Sequence, residues 1–463
     1  MKKLFLIVLF ITQIYAGPNQ TDTVTSVLVN TVLPFKITIE LTDFQIPDGI
    51  QSMAVGQDGY NYLFITGRTN GLHGFANSDD FPPSKQNTTV FVVNTNTRTV
   101  FCRSLFDRSG LSQHQIDLLS VVSAQSYQSG NTLYITGGYG IDTQSGMFST
   151  KDTLTAINIP GLINWVTQPN CCSCASAYIR QISNPVFQVT GGEMVQYGQC
   201  PTLLIFGQNF IGNYDTSANG IYTKQVRRFN IIDDGNHLNV EVLNPSAPEE
   251  SFRRRDLNII PIIKTNSGKK IPAYVALSGV FTLDTGIWTV PVEITAGGNS
   301  IMSEPNFAST FKQAMNNYNS AHIELLTGNG DMYSILFGGL TFGFFEDNQF
   351  KTDTSIPFTN QITAIKRSPI GEYQQILLPI EFPTILSTES NPGNTLRFGA
   401  GARFIIEPNI PVFSNRVLDL KSIKTTTIIG YIVGGIQSTV PNTSTITDSA
   451  ASPYIFKVTL TPP

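Results

Sequence analysis

The chain has 463 residues, enough for about two or three ordinary domains or for one large β domain. Charged residues make up 13% of it, about half of the usual share of roughly 25%. A formal net charge of −4, with no long run of Lys or Arg, argues against a nucleic-acid partner.

The first residues predict export. Two lysines precede the apolar run Leu4–Ile11, and the small residue Ala16 precedes Gly17. This is the pattern of a cleaved signal peptide, and the run is too short to span a bilayer, which needs about 20 apolar residues. We therefore expect residues 1–16 to be removed. Residues 17–463 should form one secreted domain, extracellular or periplasmic, without a membrane span.

The rest of the chain repeats a β pattern six times. Short runs rich in β-branched and aromatic residues end on glycine at Leu63–Gly67, Leu133–Gly138, Leu203–Gly207, Tyr274–Gly279, Tyr333–Gly339 and Tyr431–Gly435. A second run follows each at Thr89–Asn94, Thr153–Ile159, Gln225–Ile231, Ile287–Ile294, Gln361–Lys366 and Tyr454–Leu460. With a strand before and after these two runs, each unit becomes a four-stranded antiparallel sheet. Radial repetition of such sheets predicts an all-β, six-bladed β-propeller.

The two ends of the chain predict how the ring closes. The sixth unit stops after Tyr454–Leu460 and lacks a fourth strand, whereas Phe35–Leu41 is a strictly alternating strand ahead of the first unit. We expect this N-terminal strand to pair with the last strand. The single helix-like piece is Asn306–Asn317, expected in a connection.

Several of these residues carry a resemblance to a known family. Ile135–Gly138, Leu336–Gly339 and Ile432–Gly435 resemble the double-glycine signature of kelch repeats, and Asp152–Asn158 resembles the strand that follows it. The stretch Ile65–Phe75 is similar to exported bacterial kelch-like proteins of no established function. The resemblance implies a kelch-like propeller.

The chain also departs from that family. Tryptophan is reduced to Trp165 and Trp288. In three units the glycine pair is broken, which we interpret as loss of the second glycine, at Gly67-Arg68, Gly207-Gln208 and Gly279-Val280.

Cysteines and sequons give weaker expectations. In an exported chain, a disulfide from the Cys171–Cys174 cluster to Cys200 is the simplest pairing, and the remaining Cys102 makes the total odd. A zinc site is disfavoured because the cluster lacks the usual CxxC spacing and has no His nearby. Asn87 and Asn442 lie in sequons, which matter if the source glycosylates its exports.

Loop lengths predict the binding face. Connections after the glycine-ended strands run about 14 to 20 residues, whereas the turns before them are tight, as at Gln128–Asn131 and Gly328–Asp331. In a propeller these two sets lie on opposite faces, so one face should be built up and the other bare. Long loops on a rigid scaffold commonly carry binding residues.

Nine residues are candidates for that face or for the central channel. The predicted catalytic pair is Glu193 and Arg68, and the predicted binding residues are His73, Tyr139, Arg253, Arg254, Arg255, His322 and Arg403. Arginine suits bidentate capture of carboxylate or sulfate. As alternatives, the arginine run would be a solvated loop with one member paired to Asp256, the histidines would be structural, and Glu193 would be a strand residue paired to an arginine.

Three functions compete. The first is a binding propeller for a glycan or peptide, with an anionic ligand expected from the arginines. The second is an enzyme, because exported kelch-like propellers include sialic acid epimerases; the resemblance implies Glu193 as acid–base group, with Arg68 and Arg253–Arg255 holding an anion. The third is a surface or adhesion protein. No GxSxG, HExxH or P-loop motif is present, and we expect a monomer with no metal and no cofactor.

Overall fold

The computed structural model describes residues 24–74, 81–170, 173–214, 220–266, 268–283 and 286–463. The predicted signal peptide, residues 1–16, lies outside the described residues, as do Cys171 and Cys172. No helix in the described ranges is long and apolar enough to cross a membrane. Cys102, Cys174 and Cys200 are free thiols. The predicted disulfide from the Cys171–Cys174 cluster to Cys200 is therefore wrong, because Cys200 is not bonded.

The chain folds as an all-β propeller with four-stranded antiparallel blades, as predicted. We number the large sheets 1 to 6 in chain order. Sheet 1 holds Ala54–Asp58, Asn61–Ile65, Thr89–Asn94 and Thr99–Ser104; sheet 2, Gln125–Ser129, Thr132–Thr136, Thr153–Asn158 and Ile179–Ser183; sheet 3, Glu193–Val195, Thr202–Ile205, Val226–Asp233 and Leu238–Leu243; sheet 4, Ile259–Asn266, Lys269–Ala276, Val292–Thr295 and Ser300–Met302; sheet 6, Arg403–Ile406, Thr427–Val433, Ile455–Thr461 and Lys36–Leu41.

Five sheets, rather than the predicted six, have the simple four-stranded form. Sheet 5 has six strands. Its four antiparallel strands are Ala321–Leu326, Met332–Leu340, Phe358–Arg367 and Tyr373–Glu381, and the short strands Leu418–Asp419 and Val27–Leu28 add in parallel at its two edges. The additions come from the long connection inside sheet 6 and from the N-terminal segment, which repeat counting could not place.

The predicted N-terminal strand forms where expected. Lys36–Leu41 pairs antiparallel with Ile455–Thr461, from Lys36 opposite Thr461 to Leu41 opposite Phe456. Its alternating pattern places Ile37, 2% exposed, in the hydrophobic core shared by sheets 5 and 6. The two ends of the chain therefore meet in one sheet.

The helix prediction for Asn306–Asn317 is wrong, because no helix forms there. The Gln375 side chain accepts hydrogen bonds from the backbone N–H groups of Ala314 and Met315 at 2.8 and 3.0 Å. It thereby takes donors that a helix would use internally. The α-helices of the described residues are α1 (Gln113–Leu119) and α2 (Ile159–Thr167); 3₁₀ turns cover Pro83–Lys85, Ala175–Tyr178, Pro185–Phe187, Glu250–Phe252 and Leu420–Ser422.

The repeated glycines join neighbouring sheets. In five of the six units a glycine N–H donates to a carbonyl of the segment that enters the next sheet. These bonds are Gly67 to Val121 (2.7 Å), Gly138 to Val189 (2.9 Å), Gly207 to Arg254 (2.8 Å), Gly339 to Phe398 (2.8 Å) and Gly435 to Ile50 (2.8 Å). The last of them links sheet 6 back to the segment before sheet 1.

These bonds correct our alignment of the broken glycine pairs. Gly67 occupies the place of Gly138, the second glycine of its pair, and both have positive φ, 88° and 82°. The residue that replaces the first glycine, Gly137, is therefore Thr66, with φ 67°. Arg68 is not a substituted glycine but the equivalent of Tyr139, one residue further along. The sequence could not show which glycine had been lost, because a single glycine is compatible with either the first or the second position of the pair.

The two faces differ less than predicted. The long loops of one face carry two-stranded ribbons: Tyr139–Asp142 with Met147–Thr150, Gln208–Asn209 with Ile221–Tyr222, Gly343–Glu346 with Gln349–Thr352, and Ile436–Ser438 with Ser449–Ala451. The other face is not bare, because residues 407–426, between the first two strands of sheet 6, cross it. Asn409 donates to Tyr60 Oη (2.8 Å), Asn415 donates to the Ile262 carbonyl (3.1 Å), and Ser414 contacts Tyr197 Oη (3.0 Å).

Candidate functional site

A ring of residue pairs surrounds a cavity on the axis of the propeller. Each pair joins the residue after a glycine-ended strand to the segment entering the same sheet. The pairs are Gln51 with Arg68, Val122 with Tyr139, Thr190 with Gln208, Arg255 with Val280, Tyr318 with Leu340, and Ala400 with Ile436. All twelve residues line the cavity, whose volume is about 470 Å³. That size lies within the roughly 300 to 1,000 Å³ of small-molecule sites.

Arg68 contributes a buried cation to this cavity. Its side chain is 1% exposed, and its guanidinium lies 3.8 Å from the centre of the Phe81 ring. Nε donates to Asn70 Oδ1 and Nη2 to the Pro82 carbonyl, both at 2.9 Å. Burial lowers the pKa of Arg68 to about 10, so the group stays protonated at neutral pH.

Within the part of the chain that the structure describes, the charge of Arg68 has no carboxylate partner. Among the described residues, none forms an ion pair with it, and Nη1 is buried without a hydrogen-bond acceptor. A buried cation is costly unless it is paired. The cavity wall therefore holds an uncompensated positive charge.

Arg255 is the second arginine of the wall and is fully engaged. Nη1 donates to Asp256 Oδ2 at 2.7 Å, Nε to Tyr222 Oη at 3.1 Å and Nη2 to Tyr214 Oη at 3.2 Å. Burial opposes its charge, but Asp256 and the two tyrosines together raise the pKa of Arg255. The structure shows the predicted pairing of one member of the arginine run with Asp256. The run is not the solvated loop of that alternative, because Arg253 and Arg254 are buried.

Aromatic side chains fill the wall around Arg68. The ring of His73 lies 4.4 Å from that of Tyr214 and 5.8 Å from that of Phe81. Burial lowers the pKa of His73 to about 4, so it is neutral at physiological pH. Tyr139 packs against Phe81 at 5.2 Å and donates to the Gly212 carbonyl at 2.6 Å.

A narrow polar channel continues below the cavity. Five residues line both spaces: Ser52, Ser123, Gly191, Asp256 and Asn319. The channel has a volume of about 20 Å³, room for about one water molecule.

Three predicted residues line this channel: Glu193, His322 and Arg403. Burial raises the pKa of Glu193, against the opposing effect of Arg403 and His322. His322 Nδ1 lies 2.6 Å from Glu324 Oε1. Burial alone would lower the pKa of His322, but Glu324 and Glu193 raise it. The channel thus holds two acid–base groups, Glu193 and His322, beside the cation Arg403.

The remaining two predicted residues lie outside both spaces. Arg254 is fully buried, with its guanidinium 4.7 Å from the centre of the Trp288 ring, and Nε donates to the Ser251 carbonyl at 3.1 Å. Arg253 lies 3.9 Å from the centre of the Tyr222 ring and donates to the Phe281 carbonyl. The three arginines of the run Arg253–Arg255 therefore do not share one space, because successive side chains of an extended segment point in different directions.

Sequence analysis missed most of the cavity wall. Phe81, Phe210, Tyr214, Ile356 and Phe358 line the cavity but have no motif. The available signal was weak: Phe81, Phe210, Tyr214 and Ile356 are large apolar residues in loops, where polar residues are usual. Arg68, His73, Tyr139 and Arg255 were predicted and do come together there.

Comparison with known proteins adds little. No protein-family model matches the chain, and no curated protein matches it. Among solved structures, the chain is similar to one titled "Structure of YjhT". The two share 10% identity over 90% of this chain and 98% of that chain, with a TM-score of 0.46.

Proposed function

We propose that this protein is an exported binding propeller that recognises an anionic glycan or peptide in its axial cavity. The observation that carries the proposal is Arg68, a buried and protonated guanidinium with no ionic partner among the described residues. Charge-assisted hydrogen bonds to a carboxylate or sulfate would supply the missing partner. The enclosing aromatic rings are typical of small-molecule sites, where a few polar groups set the orientation of the ligand.

The other charged groups of the cavity support the same assignment. Arg255 and Asp256 neutralise each other, and the low pKa of His73 leaves that ring uncharged at neutral pH. The positive charge of Arg68 therefore determines the sign of the charge of the cavity. A ligand with one negative charge gains from this wall, whereas a neutral or cationic ligand leaves the buried guanidinium unpaired.

Binding to a glycan array and a peptide array tests the proposal. Wild type should bind acidic members, and Arg68→Gln should weaken that binding by about tenfold or more, because hydrogen bonds to charged groups contribute about 1.5 to 3 kcal/mol. Arg103→Gln is the matched control: Arg103 is also buried, over the Trp165 ring at 4.4 Å, but it does not line the cavity. Equal binding of neutral members, or undiminished binding by Arg68→Gln, would contradict the proposal.

A second candidate function rests on Glu193. Its raised pKa, at a channel continuous with the cavity floor, suits a group that exchanges a proton with a bound sugar. This would make the protein a carbohydrate-active enzyme of the sialic acid epimerase type. Solvent deuterium incorporation into an acidic sugar, followed by NMR, should then occur with wild type and stop in Glu193→Gln. No incorporation by wild type would exclude that reaction.

We also infer that the six sheets form one kelch-like ring closed by the N-terminal strand. Two contacts support closure: the pairing of Lys36–Leu41 with Ile455–Thr461, and the hydrogen bond from Gly435 to Ile50. The second contact does not involve the N-terminal strand, so the two are independent. A closed ring leaves fewer free strand edges and fixes the cavity-lining segments relative to one another.

A further inference from the structure

This inference rests on the proposed function. The geometry points to one class of anionic ligand, a compact carboxylate attached to an apolar group. The C-terminus of a peptide that ends in a large apolar residue is such a ligand. An acidic sugar is the less suitable of the two anionic ligands, because most of the cavity wall is apolar.

One apolar wall comes from sheets 5 and 6. Leu340, Phe358, Ala400 and Ile436 form a hydrophobic cluster whose members are at most 7% exposed. The side chains packed against it are those of Leu72, Tyr318 and Ile356, and all seven residues line the cavity. A ligand that contacts this cluster must present an apolar surface or lose hydration without compensation.

A second apolar wall comes from sheets 1 to 3. Phe81, Val122, Tyr139 and Phe210 belong to a separate hydrophobic cluster, with Tyr214 packed against it, and these five also line the cavity. Arg68 stacks on Phe81 in this wall. The cavity therefore separates two hydrophobic clusters and carries its uncompensated cation on the aromatic one.

Two polar side chains of the wall, those of Gln51 and Thr190, are engaged within the protein. Gln51 Nε2 donates to the carbonyls of Asn70 and Gly71, both at 3.3 Å, and Gln51 Oε1 accepts from Ser52 Oγ. Thr190 Oγ1 donates to the Val122 and Ser123 carbonyls. A sugar acid would bury several hydroxyl groups against this wall, and each hydroxyl buried without a partner costs affinity. A carboxylate on a hydrocarbon body needs only Arg68.

Backbone strain marks one residue of the aliphatic wall. Ile356 has a φ of 54°, a conformation that β-branched residues rarely adopt. Strain of this kind persists where the surroundings enforce it, and it concentrates at ligand sites. Asn adopts this conformation more readily, so in Ile356→Asn the relief of backbone strain should offset part of the packing lost from the hydrophobic cluster, and the variant should still fold.

The experiment measures the affinity of simple probes by titration calorimetry. Wild type should bind N-acetyl-leucine at least tenfold more tightly than N-acetylalanine, because each buried methylene contributes about fourfold. It should bind N-acetyl-leucinamide and glucuronate at least tenfold more weakly than N-acetyl-leucine. Ile356→Asn should lose about tenfold in affinity for N-acetyl-leucine, whereas Ile370→Asn, at an exposed site outside the cavity, should lose none.

The outcomes separate this inference from the proposed function. If glucuronate binds more tightly than N-acetyl-leucine and Arg68→Gln abolishes its binding, the inference fails and the anion site stands. If octanoate binds more tightly than N-acetyl-leucine, the peptide assignment fails. If no anion depends on Arg68, the proposed function fails too. Unchanged affinity of Ile356→Asn for N-acetyl-leucine would also overturn the role of the aliphatic wall.

Discussion

The axial cavity and the channel below it share five residues but differ in size and in the groups that line them. The cavity is wide and walled by apolar clusters, and its cation Arg68 has no carboxylate partner among the described residues. The channel is narrow and polar, and it places the carboxyl of Glu193 beside Arg403 and His322. A wide space beside a buried cation suits a ligand, whereas a narrow one lined by acid–base groups suits water and protons.

The two ends of the axis differ as well. Ribbons and loops surround the cavity mouth, whereas residues 407–426 cross the opposite face and contact sheets 1, 3 and 4. A ligand should therefore enter and leave on the ribbon side.

Removing the N-terminal strand Lys36–Leu41 should have the largest effect, because sheet 6 loses one of its four strands and, if the ring closes as proposed, the cavity and the channel lose their support. A protein lacking residues 17–41 loses the strand that pairs with Ile455–Thr461. We expect its thermal midpoint to fall by more than about 10 °C, or the protein not to fold, as measured by circular dichroism. A protein lacking only residues 17–23 keeps every described pairing and serves as the control. An unchanged midpoint in the longer deletion would show that the strand does not close the ring.

Arg254→Ala should have the next largest effect, on stability alone. The substitution leaves a cavity beside Trp288 and removes the donor to the Ser251 carbonyl, so we expect the free energy of unfolding to fall by about 2 to 3 kcal/mol. Arg254→Met fills most of that volume and should cost less. Denaturant unfolding measures both. Loss of ligand affinity in a folded Arg254→Met protein would mean that the cavity extends further than its lining residues indicate.

Glu193→Gln should have the smallest effect, and one that depends on pH. The pKa of Glu193 is raised above its ordinary value of 4.5. The wild-type protein therefore loses stability as pH rises from about 4.5 through the raised pKa, where the buried carboxyl ionises. The variant has no such carboxyl, so it should match wild type near pH 4 and exceed it by on the order of 1 kcal/mol at pH 7.

Thermal unfolding across pH checks this difference. Arg403, His322, Glu324 and Asp256 remain in the variant, and Glu193 itself raises the pKa of His322. The pair of proteins should therefore also be compared in a His322→Gln background. A difference between the two that shrinks as pH rises would contradict the raised pKa of Glu193.

The sequence by itself determined the β architecture. Strand periodicity follows from alternating burial, so runs such as Leu203–Gly207 and Phe35–Leu41 predicted strands that the structure contains, although their bounds shifted by a few residues. The glycines predicted where strands end, because positive φ is a local property of the backbone. Four candidates could be predicted from the strand order alone, because each lies on a connection that leaves or enters a sheet on one face. They are Arg68, His73, Tyr139 and Arg255.

Only the tertiary structure decided which of these residues share a space. Arg254 and Arg255 are adjacent in sequence, yet one is buried beside Trp288 and the other lines the cavity, because their side chains leave an extended backbone in different directions. The aliphatic wall joins Leu72, Leu340 and Ile436 from three distant connections, which no local pattern relates. Charge pairing is likewise a long-range property. The proposed function depends on the observation that Arg68 has no carboxylate partner among the residues the structure describes. This could be seen only in the folded chain.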